Sequence, residues 1–182
     1  FETHMNDKNI PKKILYWYDN NKRFLPWRKK VSKEKKEYYT LVSEFMLQQT
    51  KVKTVIPYFL KFISEYPSIE KLAIADEREV MAHWSGLGYY SRARNLHKTA
   101  KIIKNDYGGY FPKVFDQIVS LPGIGPSTAG AILSLNRIEP RPIMDGNVKR
   151  VLSRHFFIQG DLNKADQKKR IWNLSKSCTP DS

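Results

Sequence analysis

Leu121-Pro122-Gly123-Ile124-Gly125-Pro126-Ser127-Thr128-Ala129-Gly130 is the stretch that decides the fold. A turn punctuated by proline and glycine runs straight into a helix of small residues, so the string reads as two helices joined by a tight hairpin. Gly123 and Gly125 free the backbone to take positive φ and to approach another surface closely. The helix opening at Pro126 or Ser127 offers unpaired N–H groups and the positive end of its dipole. Together these make a nest for a phosphate, which binds without reading bases. Gly123, Gly125, Ser127 and Thr128 are the candidate DNA-backbone contacts; an ordinary interhelical turn is the alternative. Small residues at Ala129, Gly130 and Ala131 permit close packing of that helix.

Working outward, apolar spacing is helical almost everywhere. Ile14, Leu15 and Tyr18 share one face of a helix that Asp19-Asn20-Asn21 ends. Leu25-Pro26-Trp27-Arg28 reads as an extended, proline-fixed segment, and residues 29–37 as a charged, lysine-rich loop. Further helices are predicted over 39–49, over 54–66 with Pro57 in the first turn, and from an Asp76 cap through Val80, Met81 and Trp84. Others cover 91–107, closed by Gly108-Gly109, then 114–120, 127–136, 145–155 and 164–177. No strand hairpin, long-period repeat or low-complexity tract is present. The fold class is all-α, with about eight to ten short helices.

The 182 residues carry 32 Lys+Arg against 18 Asp+Glu, a formal charge of +14. That surplus points to a polyanion, nucleic acid before an anionic membrane; a lysine-inflating AT-rich genome gives the bland alternative. Basic and aromatic residues interleave over Tyr89-Tyr90-Ser91-Arg92-Ala93-Arg94, which favours the nucleic-acid reading. Hydrophobic residues at 41% and aromatics at 13% suffice for a core, so wholesale disorder is excluded. No apolar run reaches the roughly 18–20 residues of a membrane span. Residues 1–9 lack the apolar core of a signal peptide and read as a tag remnant (1–4) before a start at Met5. The single cysteine, Cys178, excludes an internal disulfide and a cysteine-built metal cluster within these residues. It suits a reducing compartment: cytosol, nucleus or organelle matrix.

The hairpin string resembles the helix-hairpin-helix motif of the endonuclease III-like DNA glycosylases, and within them the MutY adenine glycosylases. The resemblance extends from Tyr16-Trp17-Tyr18 and Leu25-Pro26-Trp27-Arg28 through Ser43-Glu44-Phe45-Met46-Leu47-Gln48-Gln49-Thr50. It continues through Gly86-Leu87-Gly88-Tyr89-Tyr90-Ser91-Arg92 and Asp145-Gly146-Asn147-Val148-Lys149-Arg150, in order and spacing. It implies a six-helix barrel lobe over 35–141, with the hairpin at about 115–136. A partial second lobe is implied from 10–34 plus 142–182. It also implies an enzyme that removes adenine mispaired with 8-oxoguanine or guanine from double-stranded DNA, acting as a monomer. Such an enzyme works in the bacterial cytoplasm beside the nucleoid, or in the nucleus or mitochondrion of a eukaryote. A sister activity on mismatched thymine or an oxidised pyrimidine, or a non-catalytic duplex-binding fragment, are the alternatives.

Breaking an N-glycosidic bond needs a protonated leaving base and a stabilised cationic sugar, so two carboxylates in unlike surroundings are expected. Glu44 sits at the margin of an apolar helix face, where partial burial favours the protonated acid; a solvated salt-bridge role is the alternative. Resemblance makes it the group that protonates adenine and later activates water. Asp145 opens a helix, where backbone N–H groups favour the carboxylate, and it could be a mere cap. Resemblance makes it the stabiliser of the sugar cation, with Asn147 orienting the chemistry. Ser127 stands where strand-cutting relatives carry lysine, and a serine forms no Schiff base; base removal without efficient strand scission follows. Trp27, Arg28, Leu47 and Ser127 are the implied base pocket, although Pro26 before Trp27 also suggests a buried anchor. Gln48, Gln49, Tyr89 and Arg92 are implied DNA contacts, with Gln49 and Tyr89 as the wedge beneath a flipped base. The family's [4Fe–4S] cluster and 8-oxoguanine-reading domain imply residues beyond Ser182, so this length alone implies weak or absent activity. His83, His97 and His155 lack metal spacing, and no metal ligand is expected here. The stretch 29–37 is longer than the family's loops and adds candidate phosphate contacts.

Overall fold

The computed structural model describes residues 9–180. The readings of a tag remnant and of a start at Met5 lie outside the described residues. Among the described residues there are ten α-helices and no strand: α1 (Ile10–Asn21), α2 (Lys33–Leu47), α3 (Val52–Glu65), α4 (Ile69–Ile74), α5 (Glu77–Trp84), α6 (Ser91–Asp106), α7 (Phe115–Val119), α8 (Pro126–Leu135), α9 (Gly146–His155) and α10 (Ala165–Ser177). The all-α expectation is met.

Two compact units emerge, Phe24–Gly125 and a second formed by the chain up to Arg23 with the chain from Pro126 onward. The division cuts the hairpin: its glycine turn closes the first unit and α8 belongs to the second. The first unit is built on α2, whose Leu41, Val42, Phe45 and Met46 are all fully buried, as an i, i+1, i+4, i+5 stripe requires. Fully buried Phe59 and Phe62 of α3 and Trp84 of α5 join this core. Phe62 and Trp84 meet edge-to-face with ring centroids 6.0 Å apart. In the second unit Ile10, Leu152, Phe156, Ile158, Ile171 and Leu174 form the core. Beyond Ile10, α1 leaves Ile14, Leu15 and Trp17 at least half exposed.

Four local expectations are corrected. The stretch 29–37 is not wholly a loop: α2 begins at Lys33, where the Ser32 hydroxyl accepts the Lys35 N–H and Glu34 sits in the first turn. Lysine and glutamate propagate a helix once it is capped, and burial of Glu37 and Tyr38 adds a packed turn. Leu25-Pro26-Trp27-Arg28 is not fully extended, because Pro26 opens a single 3-10 turn in which Arg28 N–H reaches the Leu25 carbonyl at 2.9 Å. Helix α4 was not anticipated; six residues are too few for a visible period, and Ser68 caps it through Lys71 N–H. Pro57 lies two residues deeper in α3 than expected, in its second turn, since that helix starts at Val52.

Candidate active site and DNA-facing surface

Helix α2 ends against a charge. Arg92, only 5% exposed, donates from Nη1 to the carbonyls of Phe45 (3.2 Å), Met46 (2.7 Å) and Gln48. Its Nη2 donates to the carbonyls of Leu87 (3.3 Å) and Gly88 (3.0 Å). The last carbonyls of a helix lack intrahelical partners, and a cation there also meets the negative end of the dipole. One side chain thus fastens the C-terminus of α2 to the loop before α6. Burial lowers the guanidinium's pKa from its ordinary value, with Tyr89 acting the other way; arginine keeps its charge under such pressure. Arg92 was expected on the DNA-contacting surface. Both terminal nitrogens of its guanidinium are committed to backbone carbonyls, so it holds the neighbouring DNA candidates in place.

Those neighbours share an unusual backbone. Gln49 has φ +58° and Tyr89 φ +49°, both left-handed without being glycine, a conformation that costs free energy and persists only where its surroundings impose it. Each directly follows a carbonyl held by Arg92, that of Gln48 and that of Gly88. Both side chains are exposed, Tyr89 by 60%. Gln48 Nε2 donates to the Gly123 carbonyl at 3.2 Å, tying the hairpin turn to the same place. Gly123 takes φ +77°, and a Cβ there would fall 2.8 Å from Asn95 and 2.9 Å from the Phe45 ring, so glycine is required. Gly125 keeps to ordinary φ, with open space where a side chain would start.

Glu44 lies in the last turn of α2, half-buried, between fully covered Ser43 and Phe45. Leu47, one turn end further, is also half-buried. Trp27 is 7% exposed and meets Phe59 edge-to-face at 5.2 Å, the contact of a buried anchor, while Arg28 beside it is exposed. In this unit the structure brings Gln48, Gln49, Tyr89, Arg92 and Gly123 around one point.

The second unit positions Asp145. Along α8, Ser127, Gly130 and Ser134 form an i, i+3, i+7 stripe that grips the chain leading to it. Ser127 Oγ accepts the Met144 N–H at 3.0 Å, and Ser134 Oγ accepts the Arg141 N–H at 2.9 Å. Between them, a Cβ on Gly130 would stand 2.7 Å from the Pro142 carbonyl oxygen. From α10, the Ser175 hydroxyl donates to the Ile143 carbonyl at 2.6 Å. Asp145 then caps α9, its Oδ1 accepting the Val148 N–H at 2.7 Å while the residue stays exposed. Exposed Asn147 accepts from Arg150 Nη2 at 3.1 Å. Thr128 is half-buried in the first turn of α8. The serine and glycine stripe, missed in the sequence as mere small-residue packing, was detectable from its helical spacing.

A cluster held by four thiolates does not fit these residues, because the chain has one cysteine and no group of three or more metal-ligating side chains occurs among the described residues.

Helices alone, joined by a glycine hairpin, place the chain among helix-hairpin-helix glycosylase folds. A solved thermostable thymine-DNA glycosylase matches it with a TM-score of 0.81 at 24% identity, covering 100% of this chain and 82% of that one. The chain belongs to the HhH-GPD superfamily of base excision DNA repair proteins, whose family model matches residues 42–177. The adenine DNA glycosylase of Buchnera aphidicola from Acyrthosiphon pisum is 50% identical over 169 residues, covering 92% of this chain and 47% of the relative. That of Rattus norvegicus is 42% identical, covering 90% of this chain and 33% of the relative. The chain therefore spans half or less of the length of these relatives. No helix among the described residues is long and apolar enough to cross a membrane.

Proposed function

We propose that this chain carries the core of a monofunctional DNA N-glycosylase that removes adenine mispaired with 8-oxoguanine or guanine. It acts as a monomer on double-stranded DNA, in the compartment that holds the genome. The observation that supports this most is the 50% identity to an adenine DNA glycosylase over a stretch that includes both Glu44 and Asp145. Gln49 and Tyr89 enter the duplex and offset the unstacking of the flipped nucleotide. Trp27, Arg28, Leu47 and Ser127 border the adenine, while Gly123, Gly125, Ser127 and Thr128 contact phosphate. Glu44 gives a proton to the adenine ring, the C1′–N9 bond breaks, and its electron pair leaves with the base. Asp145, oriented beside Asn147, stabilises the cationic sugar. Water adds at C1′ and returns its proton to Glu44, leaving an abasic site. Ser127 has no amine, so the strand stays intact.

The test is single-turnover base release from duplexes bearing 8-oxoguanine:A, G:T or thymine glycol, with a longer natural chain that carries these residues and its Glu44→Gln variant. Adenine release alone is expected. The variant should lose at least about a hundredfold in rate, the usual share of general acid–base catalysis, with DNA affinity unchanged. Release of thymine in preference to adenine overturns the substrate; parallel loss of affinity and rate overturns the catalytic role of Glu44.

A further inference from the structure

At the opposite end of α2 from Gln48, a cavity of about 260 Å³ opens between the start of α2, the start of α4 and the loop after α6. Eleven residues separate Glu37 from Gln48, about 16 Å along the helix at its rise per residue. Part of its wall is apolar, with Ile69 and Phe111 7% exposed and Ile103 1%, and one cation, Lys35, stands at its border. Into this wall the chain sets a carboxylate. Glu37 is 7% exposed, and its Oε1 is buried without a hydrogen-bond partner. An unpaired buried carboxylate is costly and such groups are rarely left unsatisfied. Burial pushes this carboxyl up, against the pull of the Lys113 and Lys33 ammoniums and with a push from Glu34.

Two more carboxylates, Glu34 and Glu70, border the same cavity in a chain whose net charge is +14. Gly109, at φ +84°, keeps room for one of them: a Cβ there would lie 2.9 Å from Glu70 Oε1. The volume falls below the roughly 300–1,000 Å³ of pockets for drug-sized ligands, so a short chain fits and a nucleotide does not. An apolar wall ending in a carboxylate matches an alkyl stem ending in a cation. We propose that this cavity binds a primary ammonium on a short aliphatic stem, with Glu37 accepting its hydrogen bonds and Ile69, Ile103 and Phe111 covering the stem. A free alkylamine and a lysine side chain of another protein share that chemistry.

Amide NMR of the 182-residue chain titrated with n-pentylammonium chloride tests this, with n-pentanol and matched sodium chloride as controls. Shifts are expected at residues around Glu37, Glu70 and Phe111, at least about tenfold weaker in affinity for pentanol. Glu37→Gln should weaken pentylammonium binding about tenfold, the factor of one charge-assisted hydrogen bond, with base release unchanged. Exposed Glu70→Gln should weaken it by a smaller factor and keeps the test valid if the first variant fails to fold. Binding of Nα-acetyl-lysine methylamide as well assigns the site to a partner's lysine; binding of pentylammonium alone assigns it to a free amine. Equal binding of pentanol, unchanged affinity in both variants, or shifts reproduced by sodium chloride overturns the proposal.

Discussion

Arg92 shows how one buried side chain sets the geometry of two exposed ones. Its guanidinium reaches carbonyls from residues 45–48 on one side and 87–88 on the other, a bridge that needs a planar fork. Lysine offers a single point charge and cannot span both stretches. Arg92→Lys is therefore expected to cost about 1.5–3 kcal/mol, the range for hydrogen bonds to charged groups. Thermal unfolding measures that loss. At temperatures where the variant is still folded, base release should fall too, because Gln49 and Tyr89 lose their imposed left-handed backbone; a variant with full stability and full activity removes Arg92 from this role. The sequence showed Arg92 only as one more basic residue among aromatics. Its three partners on α2 lie more than forty positions away, and no local pattern reveals which arginine is buried.

Helices differ in how far their residues announce them. Asp145 before α9 and Asp76 before α5 were legible as caps, because a side-chain acceptor two or three residues ahead of its N–H is a local feature. The start of α2 was hidden by charge. A run of lysines looks like a loop until Ser32 caps it and Tyr38, hydrogen-bonded to the Tyr66 carbonyl at 2.6 Å, buries its far side. Short α4 left no period to read. Helix α8 was read correctly as a helix, but its stripe was taken as packing between helices, when its partner is the extended chain at 141–144. Gly130→Ala tests that assignment. Alanine favours a helix by about 1 kcal/mol, yet its Cβ would sit 2.7 Å from a backbone carbonyl that cannot swing aside. Overpacking of this kind costs about 1–3 kcal/mol, so the melting temperature should fall and base release should drop further than stability alone explains. Gly125→Ala, with open space around it, should leave the melting temperature unchanged. Equal melting temperatures for both variants would remove the stripe's special role.

At the scale of the whole molecule, charge was the most readable property and the division into units the least. Net charge is a sum over residues and needs no fold. The boundary at Gly125 and Pro126 depends on which contacts form, and it falls inside a motif that the sequence presents as continuous. The basic residues are spread over both units: Arg94, Lys98 and Lys101 recur at i, i+4 and i+7 on α6, and Lys149, Arg150 and Arg154 stand on α9. Arg94, Lys98, Lys101, Arg150 and Arg154 are all exposed. Under the proposed function, cations so distributed would act on phosphates, and each neutralised phosphate releases a counterion. If about four phosphates are engaged, affinity for a duplex should fall about a hundredfold between about 50 and 200 mM salt. The loss should be the same for matched and mismatched duplexes, since phosphate contacts read no bases. If Gln49, Tyr89 and the proposed base pocket discriminate as proposed, their contacts are far less sensitive to salt, so the ratio of mismatched to matched affinity should hold across that range. Fluorescence anisotropy over a salt series reads both quantities, and a flat salt response would mean that the surplus of positive charge serves something other than the duplex.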